Sequence, residues 1–237
     1  SYTCSLYADD CALAQKYRAA LLAATNAIYG HLRLFGLLMH VGTGWKKSKT
    51  EAMFCPARGA RYEDGDTSDL VLNCGGTVSF TKTFVNLGSL LHNDLTDHHD
   101  VETRIKRASK AFGALRDRIF SSQDVLECLE VKVYKGGVLA VQLYGCESWC
   151  LTQEPIERPS LWPSKRVREM FRVTMCQKFV HCITSASLQK PTRVFELQYY
   201  LARRTFQWAG HVARQPKHRL PNRLTPFVVQ SPPPTRR

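Results

Sequence analysis

Two adjacent carboxylates, Asp9 and Asp10, stand near the start of the sequence in the run Tyr7-Ala8-Asp9-Asp10, flanked by Thr3-Cys4-Ser5-Leu6 and Cys11-Ala12-Leu13-Ala14. Successive strand residues point to opposite faces, so neighbouring aspartates serve one site only where the backbone bends sharply. Short β-prone runs on both sides predict a hairpin whose tip holds the pair. Such oxygen donors suit Mg²⁺, a hard ion that accepts one or two carboxylates and keeps several waters. Two ions roughly 3.5–4 Å apart can clamp the attacking and leaving oxygens of a phosphoryl displacement. The plainer reading is an exposed acidic turn, and the residues downstream decide between the two.

Several elements would position these residues. Leu21, Ala24, Ile28, Leu32 and Phe35 recur at helical steps within Gln15 to Leu38, and Gly36, Gly42 and Gly44 end the pattern. A basic cluster, Lys46-Lys47-Ser48-Lys49-Thr50-Glu51, precedes a predicted strand Ala52-Met53-Phe54-Cys55 that Pro56 stops, and Arg58 to Asp69 reads as a loop. Leu70 to Asn73 and Thr77 to Phe80, separated by Gly75-Gly76, predict a second hairpin. Gly88 inside the apolar run Phe84 to Leu91 suggests a bulge or a close backbone approach.

Asp100 to Phe120 carries the clearest helical stripe, Val101, Ile105, Ala108, Phe112, Leu115 and Ile119, with Arg104, Lys106, Arg107, Lys110, Arg116 and Arg118 assigned to the other faces. A further helix is predicted from Ser122 or Gln123, where a side-chain cap is available, through Leu129, Val133 and Ala140, weakened by Gly136-Gly137. Pro155, Pro159 and Pro163 mark a boundary, helices come next at Lys165 to Phe179 and Thr192 to Ala213, and the tail with Pro232-Pro233-Pro234 reads as disordered.

Length and composition narrow the function classes. A chain of 237 residues with 44% apolar content can bury a core as one large or two small domains. The formal charge of +13 is concentrated: residues 1–157 hold 17 Lys+Arg against 18 Asp+Glu, and residues 158–237 hold 16 against 2. Such asymmetry favours a polyanionic partner, because neutralised phosphates release counterions. Nucleic acid fits better than membrane, since the longest apolar stretch, around Val138 to Tyr144, is far short of the roughly 20 residues of a bilayer span.

Nine scattered cysteines argue against a disulfide framework and for a reducing compartment. The pairs Cys146/Cys150 and Cys176/Cys182, the latter beside His181, invite zinc, but their spacing matches no finger pattern and buried or incidental thiols are favoured. No initiator Met and no signal sequence open the chain, which begins inside a strand-like run. The expectation is a C-terminal piece of a longer protein of nucleus or cytoplasm rather than a secreted one.

The order of these motifs resembles the C-terminal half of reverse transcriptases from non-LTR (LINE-type) retrotransposons. Tyr7-Ala8-Asp9-Asp10 is similar to the family's palm motif C. Gly36-Leu37 succeeded by Lys49-Thr50-Glu51-Ala52-Met53 resembles the next palm motif, and Phe84 to Ser89 resembles the Phe-x-Tyr-Leu-Gly primer grip, with Asn86 where Tyr is usual. Tyr144-Gly145-Cys146-Glu147-Ser148-Trp149 and Gly210-His211-Val212-Ala213-Arg214 resemble stretches beyond the palm, so the similarity covers about residues 3–225.

The resemblance implies an α+β fold: a partial polymerase palm of β-hairpin, helix and short strands over residues 1–95, a helical thumb over 96–157, and a basic helical extension over 158–225, before a disordered tail at 226–237. It implies Asp9 and Asp10 as Mg²⁺ ligands, with Lys49 at the position proposed to protonate the pyrophosphate leaving group, a role worth about 10²–10⁴-fold in rate. A solvated lysine is the plainer reading of Lys49. Phe84, Leu87 and Gly88 would form the primer grip. Arg104, Arg107 and Lys110 would contact the phosphates of an RNA template and DNA primer, with dNTP as the second substrate.

The family's third metal carboxylate lies upstream of motif C and is not among these residues, so the isolated chain is expected not to polymerise. Two alternatives stay open. Arg203, Arg204 and Arg214, with Trp208 and His211, could grip nucleic acid without catalysis, although Phe206 and Trp208 are more simply core residues of an amphipathic helix. The chain could also be a decayed reading frame without activity.

Overall fold

The β-prone residues around Asp9 pair as their pattern predicts. In the computed structural model, strand β1 (Thr3–Tyr7) runs antiparallel to β2 (Asp10–Ala14), with Tyr7 opposite Asp10 and only Ala8 and Asp9 between them. The structure describes residues 3–43, 48–56, 67–150, 165–173, 176, 187 and 193–223, in two units, Ser1–Asp100 and Val101–Arg237. The fold is α+β, with three small sheets of two, three and two strands among the described residues, all before residue 93.

In the first unit, helix α1 spans Arg18–Leu34, shorter at both ends than the periodicity suggests. Its end is a Schellman closure: Gly36 adopts φ +73°, its N–H bonds Arg33 O at 3.0 Å, and the Leu37 N–H reaches back to Leu32 O at 2.9 Å. Leu21 and Leu22 of α1 pack on a small buried cluster of Ala52, Leu70, Leu72 and Val78.

The expected strand at 52–55 shrinks to β3 (Glu51–Ala52), which lies parallel to β5 (Thr77–Phe80), while β4 (Leu70–Val71) pairs with β5 antiparallel as the second hairpin. Pro56 stops this stretch, and the loop assigned to 58–69 falls mostly outside the described residues.

Strands β6 (Thr83–Asn86) and β7 (Ser89–His92) form a third hairpin. Its two-residue turn, Leu87 at φ +48° and Gly88 at φ +82°, has the left-handed backbone at both central positions that a type I′ turn requires. Gly88 is therefore a hairpin turn and not the bulge expected from sequence, because its conformation closes the strand pair rather than interrupting one.

The second unit is helical. Helix α2 begins at His98 and runs to Leu115, and π-helical winding continues it over Arg116–Phe120. Val101, Ala108 and Phe112 are buried as the stripe predicts, and Phe112 stacks on Phe120 with centroids 4.7 Å apart.

The next helix starts at Glu127, not at Ser122 or Gln123. Leu126 occupies the N-cap position, and α3 (Glu127–Val133) passes through a π segment, Tyr134–Leu139, into α4 (Ala140–Gln142). The Gly136-Gly137 pair lies inside that π segment, where weak helix propensity accommodates the wider turn. Residues 165–170 are helical, but the winding stops in a turn at Phe171-Arg172, where Arg172 adopts φ +53°, so the helix expected to run unbroken to Phe179 ends early; residues 174–175 and 177–179 lie outside the described residues. Helix α5 spans Leu197–Ala213, five residues shorter at its start than expected.

Among the described residues thirteen buried side chains form one core around Phe112, Phe120, Tyr134, Leu143, Met170 and Leu197. Each fully buried aromatic or aliphatic side chain of this kind contributes about 1.5–3 kcal/mol. Among the described residues no helix is long and apolar enough to cross a membrane. The proline boundary at 155–163 and the tail at 226–237 lie outside the described residues.

Candidate functional site

Asp9 and Asp10 occupy the tip and first strand position of the β1–β2 hairpin, and both are exposed. Ala8 holds the bend at φ +52°, a left-handed conformation that costs an L-residue with a Cβ roughly 1–2 kcal/mol. A glycine would adopt it without strain, so the chain retains a stressed turn beside two carboxylates. Tyr7 and Asp10 share one face of the hairpin, while Cys4, Leu6, Cys11 and Leu13 share the other, where the Cys4 and Cys11 sulfurs stand 3.8 Å apart. Burial, reinforced by its contact with Cys4, pushes the Cys11 thiol pKa up.

Lys49 has an exposed side chain on a pinned backbone. Its N–H donates to His40 Nδ1 at 3.1 Å, and the neighbouring Ser48 hydroxyl reaches the carbonyls of His40 and Thr50 at 3.0 and 2.6 Å. Phe84, Leu87 and Gly88 lie together on the β6–β7 hairpin, Phe84 half-buried and Leu87 exposed at the turn.

Arg104 corrects an expectation. It is 4% exposed, and its guanidinium lies 4.5 Å from the Tyr144 ring centroid, so it is part of the packed face and not of a phosphate-facing surface. The reason was in the spacing: position 104 is three residues after Val101 and four before Ala108, on the stripe itself. Arg107 and Lys110 are exposed on the outer face.

On α5, positions 203, 207 and 211 and positions 204 and 208 fall on one face by the 3.6-residue repeat. Arg203, Arg204, Trp208 and His211 line one wall of a groove of about 520 Å³, and Lys135, Leu139, Leu143 and Glu147 line the other. Trp208 is 43% and Phe206 78% exposed, so neither is the core residue that amphipathicity suggested; the α5 side chains buried instead are Leu197 and Val212. Arg204 pairs with Glu147 at 3.1 Å. Burial, aided by the charge of Arg193, pulls the Lys135 ammonium pKa down. Arg214 caps the end of α5 and is exposed outside the groove lining.

Cys146 is buried and Cys150 exposed. Burial, with Glu147 beside it, pushes the Cys146 thiol up to about 11, in keeping with a thiol packed in the core. Cys182 and His181 lie outside the described residues.

One cluster was not anticipated. His92, Asp94 and His99 place a ligand atom each within 4.8 Å of one another. Partial burial raises the Asp94 carboxyl, but the bonds from the Thr96 N–H, His92 and the Thr96 hydroxyl outweigh it and hold the group well below the usual carboxylate range. The signal for it, His-x-Asp-x₄-His, is legible in the sequence but mixes residues of a strand end, a turn and a helix start, which no single-element pattern joins.

No family model, curated protein or solved structure matches the chain.

Proposed function

We propose that the chain is a segment of an RNA-directed DNA polymerase of non-LTR retrotransposon type, in which residues 1–95 contribute part of the palm and the helices beyond it hold the template and primer. The observation that carries this reading is the two-residue bend at Ala8-Asp9, which puts Asp9 at a hairpin tip and Asp10 at the first position of the strand that follows. A left-handed residue is what closure of a two-residue hairpin turn requires, and Ala8 supplies it here. The motif order beyond it, through Lys49 and the Phe84 to Gly88 hairpin, supports it further.

The donor set of Asp9 and Asp10 is all oxygen and fits Mg²⁺. The ion would lower the pKa of a primer 3′-hydroxyl and neutralise triphosphate charge. The chain's own part is to supply two carboxylates from one turn, to keep Lys49 exposed on a tethered backbone, and to turn the β6–β7 hairpin through Leu87-Gly88. Two carboxylates under-coordinate a metal pair, and among the described residues Asp9 and Asp10 join no third ligand. This segment alone is therefore expected not to polymerise.

Two measurements test the reading. Mn²⁺ titrated into the full chain should broaden the amide resonances of residues 8–11, and Asp9→Asn should remove the effect; unbroadened resonances would overturn the metal role. Primer extension with Mg²⁺ or Mn²⁺ should give no template-dependent product, and incorporation that Asp9→Asn abolishes would refute the incompleteness of the site.

A second reading draws on the α5 groove: nucleic-acid binding without catalysis. Exposed Trp208 lines that groove together with Arg203 and Arg204, which combines a stacking surface with cations. Phosphate placed near Lys135 would favour its charged form, which burial now opposes. Fluorescence anisotropy with duplex DNA should show log affinity falling with log salt at a slope near −0.9 per phosphate contacted. Salt-insensitive binding, or none, would end this reading.

A further inference from the structure

His92 closes β7, Asp94 lies in the turn beyond it, and His99 stands in the first turn of α2. The Asp94 carboxylate reaches a ring nitrogen of each imidazole, with Oδ1 2.8 Å from His92 Nδ1 and Oδ2 3.3 Å from His99 Nε2. The rings stack with centroids 3.8 Å apart at 26°, which turns a nitrogen of each toward the same carboxylate. The backbone and hydroxyl of Thr96 both donate to Asp94 Oδ1 at 2.9 Å, fixing the carboxylate in the way that outer hydrogen bonds orient metal ligands.

We propose that His92, Asp94 and His99 form a binding site for a divalent transition metal of the Zn²⁺ class, distinct from any Mg²⁺ at Asp9 and Asp10. Two imidazoles and one carboxylate are the donors that Zn²⁺ takes, whereas Mg²⁺ selects oxygen. With metal bonds of about 2.0–2.2 Å, neighbouring ligand atoms of a tetrahedral site stand about 3.3 Å apart. The 3.3 Å contact of Asp94 with His99 already has that spacing, and the 2.8 Å contact with His92 is a hydrogen bond that must lengthen by about 0.5 Å as an ion enters. The outermost pair, within 4.8 Å, closes by rotation of side chains that are part-exposed.

His92, Asp94 and His99 side chains are 19%, 42% and 39% exposed, so an ion enters from solvent and a water completes its fourth position. Any proton that a ligating nitrogen now shares with Asp94 leaves to solvent as the ion binds. The ion would tie the end of the β6–β7 hairpin to the first turn of α2.

The test uses the full chain with exposed thiols alkylated, so that cysteines do not compete. On titration with ZnCl₂ at neutral pH, the Cε1–H resonances of His92 and His99 should shift together and saturate at one equivalent, and MgCl₂ at the same concentration should leave them in place. Co²⁺ should give the visible absorption of a four-coordinate nitrogen and oxygen site. His92→Ala with His99→Ala should abolish both signals, and Thr96→Val, which leaves all three ligands present, should weaken binding about 10–100-fold. Zn²⁺ that binds without moving these two histidines, or binds the double variant as well as the parent, would show a turn-locking hydrogen-bond network only and overturn the proposal. None of these readouts depends on polymerase activity, so they stand apart from the test of Asp9 and Asp10.

Discussion

The two units reach order by different routes. Residues 1–100 carry 9 Lys+Arg against 10 Asp+Glu, and among the described residues their core is four buried side chains flanked by half-buried ones. Residues 101–237 carry 24 against 10, and among their described residues thirteen buried side chains form one cluster. The first unit also leaves Leu6, Tyr7, Leu34, Phe35 and Leu38 more than half exposed, so its hairpins and α1 rely on backbone pairing and turn chemistry. The lesson is that Asp9, Asp10 and Lys49, proposed for catalysis, sit in the unit with the smaller described core, and Arg203, Arg204 and Trp208 sit on the unit with the larger one.

The strongest test of that contrast is truncation. Phe112→Ala should cost about 3–5 kcal/mol in urea unfolding monitored by circular dichroism, whereas Leu6→Ala should stay within about 0.5 kcal/mol. Equal costs would erase the distinction.

Native-state hydrogen exchange should then show amides of 108–112 and 131–143 opening only with global unfolding, and amides of 4–14 exchanging through local fraying with far smaller opening free energy. Comparable protection in the hairpin would mean that something covers it.

Alkaline pH should separate the units next. Burial raises the Cys146 thiol to about 11 from 9.0 and lifts the Tyr134 hydroxyl above its ordinary 10.0, so the unfolded chain loses these protons first. Stability of the second unit should fall as pH rises above 9, and Cys146→Ala should remove the first part of that fall. A pH-independent unfolding midpoint between about 8 and 11 would contradict it.

The smallest expected effect is at the turn. Ala8→Gly relieves the left-handed strain but adds the entropy of glycine, for a net hairpin gain of at most about 1 kcal/mol, read as slowed exchange of strand amides. A loss of stability would mean that the Ala8 methyl group packs against something in the folded chain.

Local pattern carried much of this molecule. The short β-prone runs around Asp9 predicted β1 and β2, and Gly36 marked the end of α1, because hairpins and helix caps are settled by residues within a few positions of each other. The stripe through Val101, Ala108 and Phe112 was legible for the same reason, and Arg104 is buried with it because its position lies on the stripe despite its charge.

Sequence alone determined that this is an α+β chain with its basic charge gathered late, and that its paired acids fall on a hairpin bend. Tertiary structure decided which face each long element buries. It turned Phe206 and Trp208 outward and closed a groove between α5 and the α3–α4 segment. It also drew His92, Asp94 and His99 from three different elements around one carboxylate. Those outcomes depend on contacts between elements, which the periodicity of any one of them does not encode.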